Sequence, residues 1–372
     1  MVNNLGQASP MKKTVISLLM AITVAGCGVL KSTNQNVEKV ATLGQIETVI
    51  ELPFRPGNVS ATKSGRVFAT VHPFAGEQGV QLLEVTGPKS YQPWPSSEVQ
   101  SPKGQYSEET IDTPLGITKD KQGGLWIVDM GQHLGKTRIW GFDIDSGELI
   151  SKIVLPTDIA PADSFVQDLV VDRERGWVYL ADLANPGILA VELATNKVRR
   201  FGNHPSLKPE ANAKMVINGQ AVMFGGKPAN TGINPITLSA DGETLFFGAM
   251  NGRTWYSVPA KLFRDGVTDD VIAHHITRVG EKPISDGATT DSFGNHFITN
   301  LNENGIDKLS ANGVLTPLIR DARLSWPDNV SADDNGWLYI SVNQLHKSPP
   351  FNDGADIGKA PYYIYRVWAN TQ

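Results

Sequence analysis

The chain has 372 residues, 40% hydrophobic and 19% charged, so it is long enough for one large β domain or two ordinary domains. Its 33 basic and 38 acidic residues give a net charge of -5, and no cluster of Lys and Arg stands out. Because nucleic-acid binding needs a clustered basic face, nucleic acid is excluded as an expected partner. The single cysteine, Cys27, excludes an intramolecular disulfide.

The first predicted element is an export signal. A basic pair at 12–13 precedes an apolar run at 15–24, and the sequence VAGC then ends at Cys27. This run is too short to span a bilayer as a helix. The pattern resembles the lipobox of bacterial lipoproteins, which implies that residues 1–27 are a signal peptide and that Cys27 is lipidated. An ordinary signal peptide and a short signal-anchor helix are the alternatives.

The residues around this signal complete the N-terminal prediction. We expect Met11 to be the true start, because residues 1–10 carry no targeting pattern. Residues 28–44, rich in Ser, Thr, Asn, Gln and Lys, predict a flexible tether. We therefore expect an exported periplasmic or cell-surface lipoprotein, bound to membrane through its N-terminal lipid only. Gly28 is not an inner-membrane retention residue, which favours the outer membrane.

One pattern recurs six times along the rest of the chain: a short alternating apolar run, a polar turn with glycine, and a second apolar run. Each copy predicts a β-hairpin. The turn glycines lie 42 to 66 residues apart. The six copies are residues 58–71, 114–129, 167–182, 234–249, 286–300 and 328–342.

Repeats of this length with a strand-turn-strand core are typical of a β-propeller with one copy per blade. The sequence therefore predicts an all-β fold, a six-bladed β-propeller over residues 45–372. We expect the segments at 46–52 and 362–368 to pair and close the ring. A pair of β-sandwiches is the alternative. Three intervening segments could supply third and fourth strands: 136–150, 187–201 and 304–319.

Short oxygen-bearing side chains recur where the inner strand of each copy begins and where its second strand ends. In a propeller these positions meet on one face beside the channel. Such side chains suit a hard cation such as Ca²⁺, or the hydroxyl and amine groups of a small ligand. Capping of turn N–H groups is the alternative at each position. The candidate ligand-binding residues are Asp168, Asn234, Asp286, Asp328, Asn329, Asp129, Asp182 and Asn300.

Histidine offers the remaining candidate chemistry. The seven histidines form no metal-binding motif, and the chain has no nucleophile elbow or phosphate-binding loop. His72 and His133 follow the second-strand exits of the first two copies, so they are the candidate catalytic residues. Loop histidines without a role are the alternative. The Pro- and Gly-containing segment 345–354 is either a lid over the channel or a plain connecting loop.

Two blocks of the sequence resemble the calcium-dependent lactonases of the gluconolactonase type, which are six-bladed propellers. These blocks are NPITLSADGETLFF, beginning at Asn234, and DGATTDSFGNHFIT, beginning at Asp286. The resemblance implies that Asn234 and Asp286 occupy two metal-binding positions of that family. It makes Ca²⁺ a possible cofactor.

A larger part of the chain, about residues 45–370, resembles the yellow / major royal jelly protein family, including its bacterial members. The resemblance rests on the order and spacing of several motifs, among them GITKDKQGGLWIVDMG, SDGATTDSFGNHFITNLNENGI and WPDNVSADDNGWLYISVNQ. It implies a secreted six-bladed propeller. Some insect members resemble carriers of biogenic amines, and others are linked to dopachrome conversion.

We therefore expect a binding protein that holds a small polar or aromatic molecule in its central channel and is a monomer. The alternative is an enzyme, either a metal-dependent lactonase or a tautomerase of the dopachrome type. The sequence leaves open whether there is catalysis at all, and no cofactor is certain.

Overall fold

The computed structural model describes residues 41–76, 78–102 and 104–371. In this part of the chain, six four-stranded antiparallel sheets and two short two-stranded hairpins make up nearly all of the regular structure. This confirms the predicted all-β fold and six-bladed propeller. The predicted signal peptide at 1–27, its lipidated Cys27 and residues 28–40 of the tether lie outside the described residues.

The strands follow one another in chain order. The first, β1, spans Ile46–Leu52 and stands apart from the blade that comes next. Blade 1 consists of β2 (Pro56–Ala61), β3 (Val67–Val71), β4 (Leu82–Gly87) and β5 (Ser90–Pro93). Blade 2 consists of β6 (Pro114–Lys119), β7 (Gly124–Asp129), β8 (Arg138–Asp143) and β9 (Leu149–Val154). Blade 3 consists of β10 (Val166–Asp172), β11 (Trp177–Asp182), β12 (Gly187–Glu192) and β13 (Val198–Gly202).

The second half continues after an insertion that carries the two small hairpins. These are β14 (Val216–Ile217) with β15 (Gln220–Ala221), and β16 (Met223–Phe224) with β17 (Lys227–Pro228). Blade 4 consists of β18 (Ile233–Leu238), β19 (Thr244–Ala249), β20 (Thr254–Pro259) and β21 (Thr277–Glu281). Blade 5 consists of β22 (Ala288–Thr290), β23 (His296–Asn300), β24 (Gly305–Leu309) and β25 (Leu315–Arg320). Blade 6 begins with β26 (Pro327–Ala332), β27 (Trp337–Val342) and β28 (Tyr362–Trp368).

The ring closes by joining the two ends of the described chain. Strand β1 pairs antiparallel with β28 and becomes the outermost strand of blade 6, with Ile46 opposite Val367 and Leu52 opposite Tyr362. An ion pair between Glu47 and Arg366 (2.6 Å) lies along this seam. The predicted pairing of the 46–52 and 362–368 segments is confirmed.

The hairpin turns explain why the six copies recur with glycine. Each turn glycine has a φ between 74° and 103°, a left-handed backbone that residues with a Cβ adopt at a cost. In blade 2 this residue is Gly123, which decides between the two neighbouring glycines of that turn. The turn glycines are Gly65, Gly123, Gly176, Gly242, Gly294 and Gly336.

The hydrophobic core lies between neighbouring blades rather than in one central mass. Between blades 2 and 3, for example, the fully buried Trp126 belongs to the same hydrophobic cluster as Val178 and Leu189. Each sheet can bury its faces only against the next sheet, so the ring stabilises every blade.

Helical structure is limited to short connections. Two helices, α1 (Lys261–Arg264) and α2 (Asp269–His274), link β20 to β21. Single 3-10 turns occur at Pro73–Ala75, Pro205–Leu207, Leu345–Lys347 and Pro349–Phe351. Among the described residues, no helix has both the length and the apolar character needed to cross a membrane.

Candidate ligand-binding site

The start of the inner strand is irregular in five of the six blades, and the irregularity turns side chains toward the channel. The pairing register shifts between Val166 and Asp168, and again between Pro327 and Asn329, so Gln167 and Asp328 lie in bulges. Bulges re-aim side chains in this way. Blade 5 has no such register shift. There the backbone N–H of Asp286 donates to Thr299 Oγ1 (3.0 Å) before β22 begins, and this contact holds Asp286 at the channel.

Asp286 is the centre of the polar cluster in the channel. Its Oδ1 accepts from Gln167 Nε2 and Asn234 Nδ2, both at 2.7 Å, and its Oδ2 accepts from Trp326 Nε1 at 2.7 Å. These donors come from blades 3, 4 and 6. Burial raises the pKa of Asp286 to about 7, although the three donors act in the opposite direction.

Two further carboxyl groups lie in the same polar layer. Asn58 Nδ2 donates to Asp168 Oδ1 at 2.7 Å, and Asn343 Nδ2 donates to Asp328 Oδ2 at 2.6 Å. Burial and the charge of Asp286 raise the pKa of Asp168 to about 8. The same two causes raise the pKa of Asp328 well above its ordinary value. The three carboxyl groups therefore resist full ionisation at neutral pH, since each charge opposes the next.

Several oxygens of this layer have no hydrogen-bond partner. They are Asn58 Oδ1, Asn234 Oδ1 and Asp328 Oδ1, and each belongs to a residue that is at most 1% exposed. A buried acceptor without a donor carries a desolvation cost of roughly 1–3 kcal/mol. A cationic or N–H-bearing ligand group would lower that cost.

A pocket of about 640 Å³, including its open mouth, lies over Asp286. Asp286, Gln167, His72 and Thr231 supply its polar surface, and the rest of the lining is mostly apolar. The pocket is therefore a mostly hydrophobic cavity with one carboxyl group in its lining. Its aromatic and sulfur-containing lining residues are Phe74, Phe165, Phe224, Trp326, Phe351, Met215 and Met250.

Two loops from different blades meet over this pocket. The insertion with β16 and β17 contributes Phe224, and the segment after β27 contributes Phe351, with ring centroids 5.1 Å apart. The backbone N–H of Gly225 donates to Pro350 O at 3.0 Å. Of the two roles considered for residues 345–354, the structure supports the lid, since Leu345 and Phe351 line the pocket.

His72, one of the two candidate catalytic residues, lines the pocket and is buried. Its Nδ1 accepts the backbone N–H of Phe74 at 3.0 Å, which leaves the proton of the neutral ring on Nε2. Nε2 lies 4.0 Å from Asp328 Oδ2. Burial lowers the pKa of His72 to about 3, so the ring is neutral at physiological pH.

Several other predicted residues are not in the pocket. Asp168 and Asn329 line a smaller space deeper in the channel, where Asn329 Oδ1 accepts the backbone N–H of Val59 (3.2 Å). His133 lies in a different groove, 2.5 Å from Asp112.

The predicted residues at the second-strand exits have partners inside the blades. Asp129 forms an ion pair with Arg138 (2.7 Å), and both side chains are fully buried. Asp182, also fully buried, pairs with the partly buried Arg200 at 2.5 Å. Asn300 donates to Asp307, at 2.9 Å. None of the three side chains contacts Asp286. Each also accepts a nearby backbone N–H group, which supports the turn-capping alternative for Asp129, Asp182 and Asn300.

The hydrogen bonding does not fit the calcium site implied for Asn234 and Asp286. Both oxygens of Asp286 accept N–H groups, and Asn234 presents its Nδ2 to that carboxyl group. Within the described ranges, no group of three or more His, Cys, Asp or Glu side chains is arranged to hold a metal ion. A metal ligated by Asp286 would have to displace N–H donors already in place.

Sequence reasoning missed Trp326 and Asn343. Trp326 lies two residues before Asp328, just ahead of β26, but its φ of 62° and its hydrogen bond to Asp286 have no sequence signature. Asn343 follows the end of β27, and a search for amides at second-strand exits of every copy would have found it.

The fold is shared with solved propellers of low sequence identity. A gluconolactonase from Xanthomonas campestris is 12% identical, with 87% of this chain and 89% of that chain covered and a TM-score of 0.51. A protein of unknown function from Bacteroides thetaiotaomicron is 11% identical, with 87% and 75% covered and a TM-score of 0.56. A streptogramin B lyase is 13% identical, with 88% and 98% covered and a TM-score of 0.52. At such identities the likeness is one of fold alone.

The sequence itself supplies the family. No protein with a curated function matches it. Residues 113–348, well over half of the chain, match the family described as major royal jelly protein. The matched region runs from just before β6 to the lid segment after β27 and includes Asp286 and Trp326. The chain belongs to the major royal jelly protein family.

Proposed function

We propose that the channel pocket binds a small molecule with an aromatic body and a protonated amine. The observation that carries this proposal is the position of Asp286, a buried carboxyl group in the wall of a pocket lined by aromatic rings. A protonated amine beside Asp286 would favour the ionised carboxylate and lower its raised pKa. The rings of Trp326, Phe165 and Phe351 would cover the aromatic body.

Binding is favoured over metal-dependent lactone hydrolysis by the contacts of Asp286, whose oxygens are engaged by N–H donors. An ammonium group supplies hydrogen-bond donors and charge without needing a full set of oxygen ligands.

The proposal includes a cellular location. Lipid attachment at Cys27, outside the described residues, would anchor an exported protein at the outer membrane with no other membrane contact. The motif VAGC and the apolar run before it support this.

The experiment is calorimetric titration with tyramine and with tyrosol, which replaces the amine by a hydroxyl group. We expect tyramine to bind at least tenfold more tightly than tyrosol to the wild-type protein. Asp286→Asn should remove most of that preference, because the variant keeps the shape and loses the charge. Glu174→Gln, an exposed carboxylate far from the pocket, is the matched control.

Three results would speak against the proposal. They are an equal affinity for tyramine and tyrosol, an unchanged tyramine affinity in Asp286→Asn, and an equal loss in Glu174→Gln. Stoichiometric Ca²⁺ in the purified protein together with lactone hydrolysis would favour the lactonase instead.

A further inference from the structure

A second groove lies between blades 1 and 2, outside the channel. It encloses about 560 Å³, including its open mouth, and its walls contain Val71, Val80 and Pro114. Gln132 and His133 line it from the loop that follows β7. Apart from Asp112 and His133, its described lining is uncharged.

His133 is held in this groove by a buried carboxylate. Its Nδ1 lies 2.5 Å from Asp112 Oδ1. The other oxygen, Asp112 Oδ2, accepts the backbone N–H groups of His133 and Leu134, each at 3.0 Å. The side chain of Asp112 is 0% exposed, whereas that of His133 is 42% exposed.

These contacts fix the tautomer of the ring. An ionised carboxylate that already accepts two backbone N–H groups can only accept, so Nδ1 of His133 is the protonated nitrogen. The Nε2 lone pair is then the basic site of the imidazole. Tyr106 stacks on the ring with centroids 3.7 Å apart and planes 5° apart, which fixes its orientation as well.

A purely structural role accounts for only half of this arrangement. Capping the N–H groups of His133 and Leu134 uses Asp112 Oδ2 alone. The imidazole adds nothing to that cap, and it is exposed at the groove rather than packed in the core. A carboxylate behind an oriented imidazole is the arrangement that general-base catalysis uses.

We propose that Asp112 and His133 form a general-base dyad that hydrolyses a small uncharged ester bound in this groove. Nε2 of His133 takes a proton from water while the water oxygen bonds to the acyl carbon. When the tetrahedral adduct collapses, its bond to the alcohol oxygen breaks and that oxygen takes the proton from Nε2. The products are a carboxylic acid and an alcohol, and the dyad is restored.

The groove explains the choice of substrate. Its lining mixes apolar and uncharged polar side chains and so favours an uncharged molecule, and Gln132 carries an amide N–H₂ that can donate to a carbonyl oxygen. Asp112 does not touch the substrate and acts as a positioning residue. This proposal is independent of the channel pocket, because none of its residues lines that pocket.

The test uses the full chain and 4-nitrophenyl acetate, with release of 4-nitrophenolate as the signal. We expect the wild-type rate to exceed that of free imidazole at the same concentration by about a hundredfold, the low end for a positioned general base. His133→Gln should lose this excess. His275→Gln, which removes an exposed histidine at the end of α2, should keep it.

Asp112→Asn tests the positioning role, because an amide can stabilise the wrong tautomer. It should lower the rate at least tenfold and change the shape of the pH–rate profile, which a simple loop cap would not do. Diethyl pyrocarbonate should modify His133 in the wild-type protein and abolish the activity in parallel. This measurement does not depend on the folding of any variant.

Two results would overturn the proposal. One is a wild-type rate no higher than that of free imidazole. The other is full activity after complete modification of His133 or in a folded His133→Gln variant.

Discussion

Asn58 and Asp168 face each other across the channel, with Nδ2 of the amide 2.7 Å from Oδ1 of the carboxyl group. Asn58 belongs to blade 1 and Asp168 to blade 3. Gly116 lies beside them in β6, the inner strand of blade 2. A Cβ on Gly116 would lie 2.2 Å from Gln167 O, so only glycine lets β6 and β10 approach this closely. The contact joins blades that are not neighbours and holds a carboxyl group in a buried place.

The raised pKa of Asp168, about 8, predicts a pH dependence of stability. Because the pKa of this group is higher in the folded than in the unfolded protein, it contributes stability. The contribution is complete when the pH is below the unfolded pKa, near 4, and it is lost as the pH rises through 8. The lowered pKa of Lys282, about 7, acts in the opposite direction above pH 7. We therefore compare the wild type with Asp168→Asn. Both proteins contain Lys282, so its contribution cancels in the difference between their free energies of unfolding.

Relative to Asp168→Asn, we expect the free energy of unfolding of the wild type to fall steadily from pH 5 to pH 9. Urea denaturation at several pH values measures this difference. For the Glu174→Gln variant, the free energy of unfolding should change with pH as it does in the wild type. Parallel curves for Asp168→Asn as well would show that Asp168 is not held protonated in the folded protein.

The ion pair of Asp129 and Arg138 predicts a large stability effect. Both side chains are fully buried, and Asp129 also accepts the backbone N–H groups of Asp112, Thr113 and Gly131. Asp129→Asn leaves Arg138 charged and uncompensated, so we expect a loss of about 3–5 kcal/mol in the free energy of unfolding.

The partly exposed surface pair of Arg323 and Asp321 (2.6 Å) is the control for that prediction. Asp321→Asn should cost less than about 1 kcal/mol, because solvent screens the pair. Urea denaturation measures both variants. A small loss in Asp129→Asn would mean that water reaches Arg138.

Ring closure predicts the effect of an N-terminal truncation. A chain of residues 53–372 lacks β1, so blade 6 has three strands and β28 becomes an unpaired edge. We expect it to unfold at a clearly lower urea concentration than a chain of residues 41–372 and to associate in solution. Urea denaturation measures the first effect and sedimentation the second. Equal stability and equal association state of the two chains would show that β1 is not needed to close the ring.

Lipidation of Cys27 remains a prediction. Mass spectrometry of the N-terminal peptide from the membrane fraction of cells that export the protein should show a diacylated cysteine at position 27 and no residues before it. Cys27→Ser should release the protein from the membrane fraction. An unmodified Cys27, or a peptide that retains residue 20, would contradict the prediction.

The sequence predicted the fold well because its signals are local. Alternation and a turn glycine are readable within each hairpin, and the six turn glycines all have a left-handed backbone. The predicted starts of the inner strands also indicated Asn234, Asp286 and Asp328, since these strands all start at one end of the ring. Those residues belong to a single polar layer for that reason.

What the sequence could not supply was distance from the channel axis and the identity of distant partners. Asp129 and Asp182 leave their strands at the correct end of the ring, but Arg138 and Arg200, from strands farther out in the same blades, hold them away from the pocket. The pocket over Asp286 also depends on Phe224 and Phe351, which lie in irregular loops. Contacts of that kind follow only from the folded ring.

The pairing of β1 with β28 has a consequence for the order in which the molecule assembles. Blades 1 to 5 are built from strands consecutive in sequence, so each can form from local contacts, whereas Glu47 and Arg366 are 319 residues apart. The entropy lost in closing a loop grows with its length, and such non-local pairings slow folding. We expect the sixth blade to form last and to set the folding rate. Mutations along this seam would then slow folding, while equivalent mutations in the outer strands of blades 2 to 4 would chiefly speed unfolding.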